Sequence, residues 1–148
     1  TVLRVLLRLC TPLSGDNMTP LKIYIASRFL NARIVKALST KLMSLAPVRC
    51  VQTWPDERDD CGPAAAALRD LFEIEKSDMV VVYTIDCEGI PGGMHFEAGY
   101  AYGQGKRLVV IGPLVNIFYY LPDVERYDNI QDFLKRISGF LKKNFNTE

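Results

Sequence analysis

Gly92-Gly93-Met94-His95-Phe96-Glu97-Ala98-Gly99-Tyr100-Ala101-Tyr102-Gly103 decides the fold of this chain. A Gly-Gly turn opens it, a run with helical composition follows, and Gly103-Gln104-Gly105 supplies a C-terminal stop. Just before it, Asp78-Met79-Val80-Val81-Val82-Tyr83-Thr84-Ile85 is an apolar run of strand length, and just after it Lys106-Arg107-Leu108-Val109-Val110-Ile111-Gly112 is another. The result is a strand, helix, strand unit. Its acid, Glu97, lies beyond the carboxyl end of the first strand, where open α/β sheets bind ligands.

The same alternation extends in both directions. Leu21–Ala26 reads as a first strand ending at Ser27, a residue able to cap a helix marked by Phe29, Leu30, Ile34, Val35, Leu38, Leu42 and Leu45. Pro47 ends that helix, and Val48–Trp54 alternates as an edge strand. After a polar loop from Pro55 to Gly62, Pro63 and four alanines lead into a second helix carrying Leu68, Leu71, Phe72 and Ile74. Met79–Ile85 is apolar on both faces and so central. Leu108–Ile111 is a fourth strand and Val124–Tyr127 a short fifth. Ile130, Phe133, Leu134, Ile137, Phe140 and Leu141 then mark a closing amphipathic helix. Right-handed crossovers turn this pattern into a five-stranded parallel α/β sheet covered on both faces, for which we expect the order 2-1-3-4-5. One domain spans residues 21–148. Residues 1–20 read as an N-terminal extension, with Met18 a candidate start.

Composition narrows the function. With 148 residues, 49% apolar and 24% charged, the chain can bury one proper core. A formal charge of +1 creates no field to attract a nucleic acid polymer or anionic lipid, so a small neutral or singly charged ligand is expected. Thr1–Leu9 is too short and too charged to span a bilayer. The four cysteines, Cys10, Cys50, Cys61 and Cys87, form no CxxC pair and read as free thiols in a reducing cytoplasm. A single histidine, His95, leaves little to build a zinc site from, and we expect chemistry without metal or cofactor.

Glu97 is the leading catalytic candidate, because the N–H groups of a helix start favour an ionised carboxylate and such a group can attack an anomeric carbon. Its bland reading is stabilisation of its own helix. Asp70, on the helix feeding the central strand, is the natural second acid that protonates a leaving group, although an acid between Arg69 and Glu73 also fits a solvated face. Asp86 and Glu88 follow the third strand and are placed to bind sugar hydroxyls. Tyr24 and Ser27 end the first strand at the same sheet edge, and Gly93 lines the turn before Glu97. Arg28 and the adjacent N–H groups suit an anion such as a 5′-phosphate. Gly92-Gly93 lacks the spacing of a dinucleotide or triphosphate cradle. Trp54, Phe96, Phe118, Tyr119 and Tyr120 offer flat walls for a base or, as apolar residues, an interface. His95 faces another side of the helix and stays outside the catalytic set.

Lys22–Ser27, Asp70-Leu71 eight residues before Asp78, and Phe96-Glu97-Ala98-Gly99-Tyr100-Ala101 with Gly103–Lys106 resemble the nucleoside 2-deoxyribosyltransferase superfamily over roughly residues 21–142. The resemblance implies a flavodoxin-like three-layer fold, a covalent deoxyribosyl intermediate on Glu97, base protonation assisted by Asp70, and sugar contacts from Tyr24. It implies transfer of deoxyribose to another nucleobase, or hydrolysis of a nucleoside monophosphate. It also implies a homodimer or larger homo-oligomer in which a loop such as Asn116 with Phe118–Leu121 completes a neighbour's site. One position departs from the pattern. Transferases of this type carry an aspartate six residues before the nucleophile, and this chain has Pro91 there, with Asp86 or Glu88 as substitutes. The Gly-Gly turn is also similar to that of phosphoribohydrolases releasing cytokinin bases, which keeps hydrolysis open, and a non-catalytic nucleotide-binding module is the rival from another class.

Overall fold

Every side chain of the third strand, Met79–Tyr83, is buried, and this follows from its having neighbours on all sides. A computed structural model describes residues 19–45, 47–56, 62–89 and 92–145. In it, β1 (Leu21–Ala26), α1 (Ala32–Met43), β2 (Val48–Cys50), α2 (Gly62–Lys76), β3 (Met79–Tyr83), α3 (Gly93–Gly103), β4 (Arg107–Ile111), β5 (Glu125–Tyr127) and α4 (Ile130–Phe145) follow one another along the chain. The sheet has five parallel strands in the order β2-β1-β3-β4-β5, as the sequence led us to expect. The central register pairs Tyr24 with Val80, and Val80 with Leu108.

Alternating side chains send two cores to opposite faces. Ile23, Ile25, Val81 and Val109 pack with Val35, Leu38 and Leu42 of α1 and with Phe133, Ile137 and Leu141 of α4. Tyr24, Val80, Val82 and Val110 pack with Ile74 of α2, Ala98 and Ala101 of α3, and Tyr119. Each fully buried aliphatic chain contributes about 1.5–3 kcal/mol, and it is these layers that hold α2 and α3 side by side over Tyr24. The alanines of α3 let that helix approach the sheet closely. Among the described residues no helix is long and apolar enough to cross a membrane.

Several boundaries differ from the pattern in the sequence. The first helix does not begin on a Ser27 cap. A 3-10 turn over Phe29–Asn31 precedes α1, and the Ser27 hydroxyl instead donates to the Tyr83 carbonyl at 2.8 Å. β2 stops at Cys50 rather than Trp54, because Gln52, Thr53 and Trp54 turn away to bond other elements. β3 ends at Tyr83 because the Thr84 hydroxyl donates to the Pro113 carbonyl at 2.7 Å and leaves the strand line. Asp78, just before β3, ties the starts of β1 and β3 together by accepting from the Lys22 N–H at 2.9 Å. Cys50 and Cys87 are free thiols, while Cys10, Cys61, Pro91 and the extension up to residue 18 lie outside the described residues.

The close approach of the chain after β4 to Thr84 and Ile85 after β3 depends on Gly112. Its φ is +112°, and a Cβ there would sit 2.8 Å from both Ile85 Cγ1 and Thr84 Oγ1. Its N–H also donates to the Tyr127 carbonyl at 2.9 Å, tying down β5. Gly112→Ala is expected to destabilise the protein by about 2 kcal/mol or more, measured by urea unfolding, whereas Gly99→Ala, with open space around it, should be close to neutral or stabilising.

Candidate active site

Tyr24 is the floor of the site. It sits in mid-strand on β1 with no solvent exposure, pointing to the face covered by α2 and α3. Its buried hydroxyl makes no well-formed hydrogen bond, which ordinarily costs about 1–3 kcal/mol. Around it stand the carboxyl groups of Glu97, Asp70 and Glu73. Burial, and then those three acids in that order, drive the Tyr24 phenol far above its ordinary range. A phenol facing three acids strongly resists ionisation.

Two of the acids come from one face of α2, since Asp70 and Glu73 are three residues apart. The inward face of that helix carries these acids together with Ile74 and the half-buried Leu71, while its other large apolar residues face outward. Leu68 is 69% exposed and Phe72 54% exposed, while Asp70 is half-buried and Glu73 is buried. The solvated-face reading of Asp70 therefore does not describe its position. Glu73 also has a structural task, accepting from the Thr53 N–H at 3.0 Å and from its hydroxyl at 2.6 Å. Trp54 Nε1 donates to the Ile25 carbonyl at 2.8 Å, and Gln52 accepts from the Ile25 N–H at 3.2 Å. The segment after β2 is thus locked to β1 beside the acids.

Glu97 reaches the cluster from α3, but not as a residue of the first turn. It is the fifth residue of a helix that begins at Gly93, and the influence of a helix dipole fades within one turn. Burial dominates instead. It pushes the Glu97 carboxyl up to about 8, with a further rise from Asp70 and Glu73 and a partial offset from Tyr24. This rise opposes the ionised state expected from a helix start and strengthens the hold of Glu97 on its proton.

His95, outside the catalytic set read from the sequence, is paired with Tyr119, one of the candidate walls for a base. The 3-10 turn Ile117–Tyr120 buries Tyr119, whose hydroxyl lies 2.6 Å from His95 Nδ1. Burial, Cys87 and Glu97 all raise the Tyr119 phenol, which puts it within electrostatic reach of the acid. Burial lowers His95, so the ring is neutral near pH 7. Phe118-Tyr119-Tyr120 had looked like one apolar patch. The structure divides it, with Tyr119 inward and its neighbours outward. No periodic signal in so short a run marks that division.

The remaining candidates lie at the carboxyl ends of β1 and β3. Ser27, Arg28 and Asn31 form a clasp: Asn31 Nδ2 donates to Ser27 Oγ at 3.0 Å and to the Ile85 carbonyl at 3.1 Å, and Arg28 Nε lies 3.4 Å from Asn31 Oδ1. Ser27 is thus occupied internally, and Arg28 is oriented with its terminal nitrogens still available. Asp86 is exposed and left-handed at φ 58°, and Glu88 is exposed too. Gly93 is the first residue of α3. Asn116 accepts from the Phe118 N–H at 3.0 Å and starts the turn that carries Tyr119. Tyr24, Glu97 and Asp70 are brought together; Ser27 and Asn116 hold loops.

No protein-family model matches the chain, and no curated protein matches it either. Among solved structures, it is similar to the CMP N-glycosidase BcmB of Clostridium botulinum, at 15% identity and a TM-score of 0.55. The similarity covers 78% of this chain and 97% of that one. At this identity the likeness establishes the fold.

Stability should follow the Glu97 proton. An acid raised in the folded state contributes fully below its unfolded pKa, and the contribution is lost as pH rises from about 4.5 through about 8. Glu97→Gln is therefore expected to match the parent melting temperature near pH 4 and to exceed it by about 10 °C or more at pH 9. Parallel melting curves across that range would contradict a buried, proton-holding Glu97.

Proposed function

We propose that the chain cleaves the N-glycosidic bond of a 2′-deoxyribonucleoside or its 5′-monophosphate, with Glu97 as nucleophile and Asp70 as acid. The observation that carries this reading is the convergence of Glu97 and Asp70 on the buried Tyr24 hydroxyl, in a site whose charge favours a cationic transition state. Coupled carboxyls of this kind share protons, and in that arrangement one acid donates while the other is ionised. The proton held by the pair passes through Asp70 to the leaving base as the C1′–N bond breaks and its electron pair moves to the base. Glu97, ionised by that transfer, forms the bond to C1′. Tyr24 donates its hydroxyl to the Glu97 oxygen that does not attack, and Asp86 or Glu88 meets the sugar hydroxyls. In the second half, an incoming base or water bonds to C1′, Glu97 leaves, and Asp70 takes up the proton. Microscopic reversibility requires this return.

Transfer to a second base is the first reading. Hydrolysis is the second, supported by the likeness to a CMP N-glycosidase and by Arg28, whose terminal guanidinium nitrogens suit a 5′-phosphate. We also propose a homodimer. Leu68, Phe72 and Phe96, which is 68% exposed, leave an apolar surface beside the acids that a second copy would cover.

Incubating the protein with deoxyinosine and adenine, or with a deoxynucleoside monophosphate alone, and separating the products chromatographically, distinguishes the readings. Deoxyadenosine marks a transferase, and free base from the monophosphate marks a hydrolase. Glu97→Ala is expected to lower either rate by at least about a thousandfold. Tyr24→Phe should lower it while leaving the melting temperature unchanged or raised, because it deletes a buried hydroxyl without a good partner. Turnover that survives Glu97→Ala would overturn the assignment, and nucleotide binding without base release would indicate a sensor. Sedimentation should show a dimer that Leu68→Glu combined with Phe72→Glu converts to a monomer.

A further inference from the structure

A second cleft lies on the other face of the sheet from the acids. Arg107, Asp132, Lys135, Arg136, Gly139 and Lys143 are among its lining residues, and its volume is about 570 Å³, within the range of small-molecule sites. It is cationic where the first site is acidic. Arg107 is neutralised by Glu125 and stacked 4.9 Å from the Phe140 ring, so it forms a fixed wall. Asp132 is held by Asn129 at 3.0 Å. Lys135 and Arg136 stand three and four residues beyond Asp132, the spacing at which helix ion pairs form, yet among the described residues they and Lys143 enter no ion pair or hydrogen bond. All three are solvent-exposed and line one recess, and Arg136 also lies within electrostatic reach of the Tyr127 phenol.

Gly139 supplies an independent sign. It lies in the middle of α4, where glycine is a poorer helix former than any residue except proline. Packing does not demand it, since a Cβ there would meet nothing within 4 Å. Gly139 is exposed and lines the cleft, so a side chain there would project into it. A cationic C-terminal turn complementing the helix dipole explains Lys142 and Lys143, but neither Lys135 and Arg136 in mid-helix nor the glycine.

We propose that this cleft binds a small polyanion of nucleotide size bearing two or more phosphates, separately from the acidic site. From Lys135 to Lys143 the helix rises about 12 Å, too far for one phosphate to engage both ends and well matched to a polyphosphate chain. Asp132, at the opposite end, accepts hydrogen bonds and suits hydroxyl groups rather than phosphate.

Calorimetric titration of the full chain at low ionic strength, with ATP and with inorganic triphosphate as probes, tests this. Saturable binding is expected, weakened at least about tenfold by Lys135→Glu with Arg136→Glu and by Gly139→Leu, and unchanged in Glu97→Gln. Gly139→Leu replaces a helix-weakening residue in open space, so its melting temperature should be equal or higher, which separates a filled cleft from a misfolded protein. Absence of binding to both probes, equal affinity in the parent and the cleft variants, or loss of binding in Glu97→Gln would each overturn the proposal. None of these outcomes depends on whether the acidic site cleaves glycosides.

Discussion

Enclosing three carboxyl groups against a phenol inside a two-sided parallel sheet is the constraint around which the rest of the molecule is arranged. Charge in such a place is costly, and the protein answers it in two ways. Glu73 is satisfied by the Thr53 amide and hydroxyl, whereas Glu97 holds its proton more tightly. The framework that makes this possible is apolar and continuous. Buried residues on β1, β3 and β4 fix the backbone, and the alanine-lined α3 brings its acid close. Without that rigid floor the acids would separate and solvate, and their proton affinities would return to ordinary values.

The second consequence is an unusual orientation of α2. Its large apolar residues Leu68 and Phe72 face outward, with the Lys76 ammonium 3.9 Å from the Phe72 ring, while Asp70 and Glu73 point to the sheet. A helix bundle would not tolerate that arrangement. Here Ile74 of the same helix and the alanines of α3 already cover the sheet, which leaves other inward positions of α2 for acids. The surface left over is apolar, next to the site, and suited to association.

Much of the fold was legible because a parallel α/β sheet announces itself in short range. Met79–Tyr83 is apolar at every position, and only a strand with cover on both faces reads that way. Strand ends were less legible. Thr84 and Trp54 leave the sheet because of bonds to Pro113 and Ile25, partners 29 residues away in each case. The raised proton affinity of Glu97 is illegible in the sequence for a related reason. Position in the chain advertises the helix start, but burial and neighbouring acids, which outweigh it, exist only after the chain has closed.

The sequence by itself determined the order of elements, the parallel five-stranded sheet and the placement of Tyr24 on its first strand and Glu97 on the helix after its third, since hydrophobic period and turn chemistry act over a few residues. Only the tertiary structure decided that Asp70 and Glu73 face inward, that Tyr119 is paired with His95, and that Lys135, Arg136 and Lys143 share a recess. Those facts depend on how helices rotate and which loops meet. Rotation is set by packing against the whole sheet, and no local pattern carries that information.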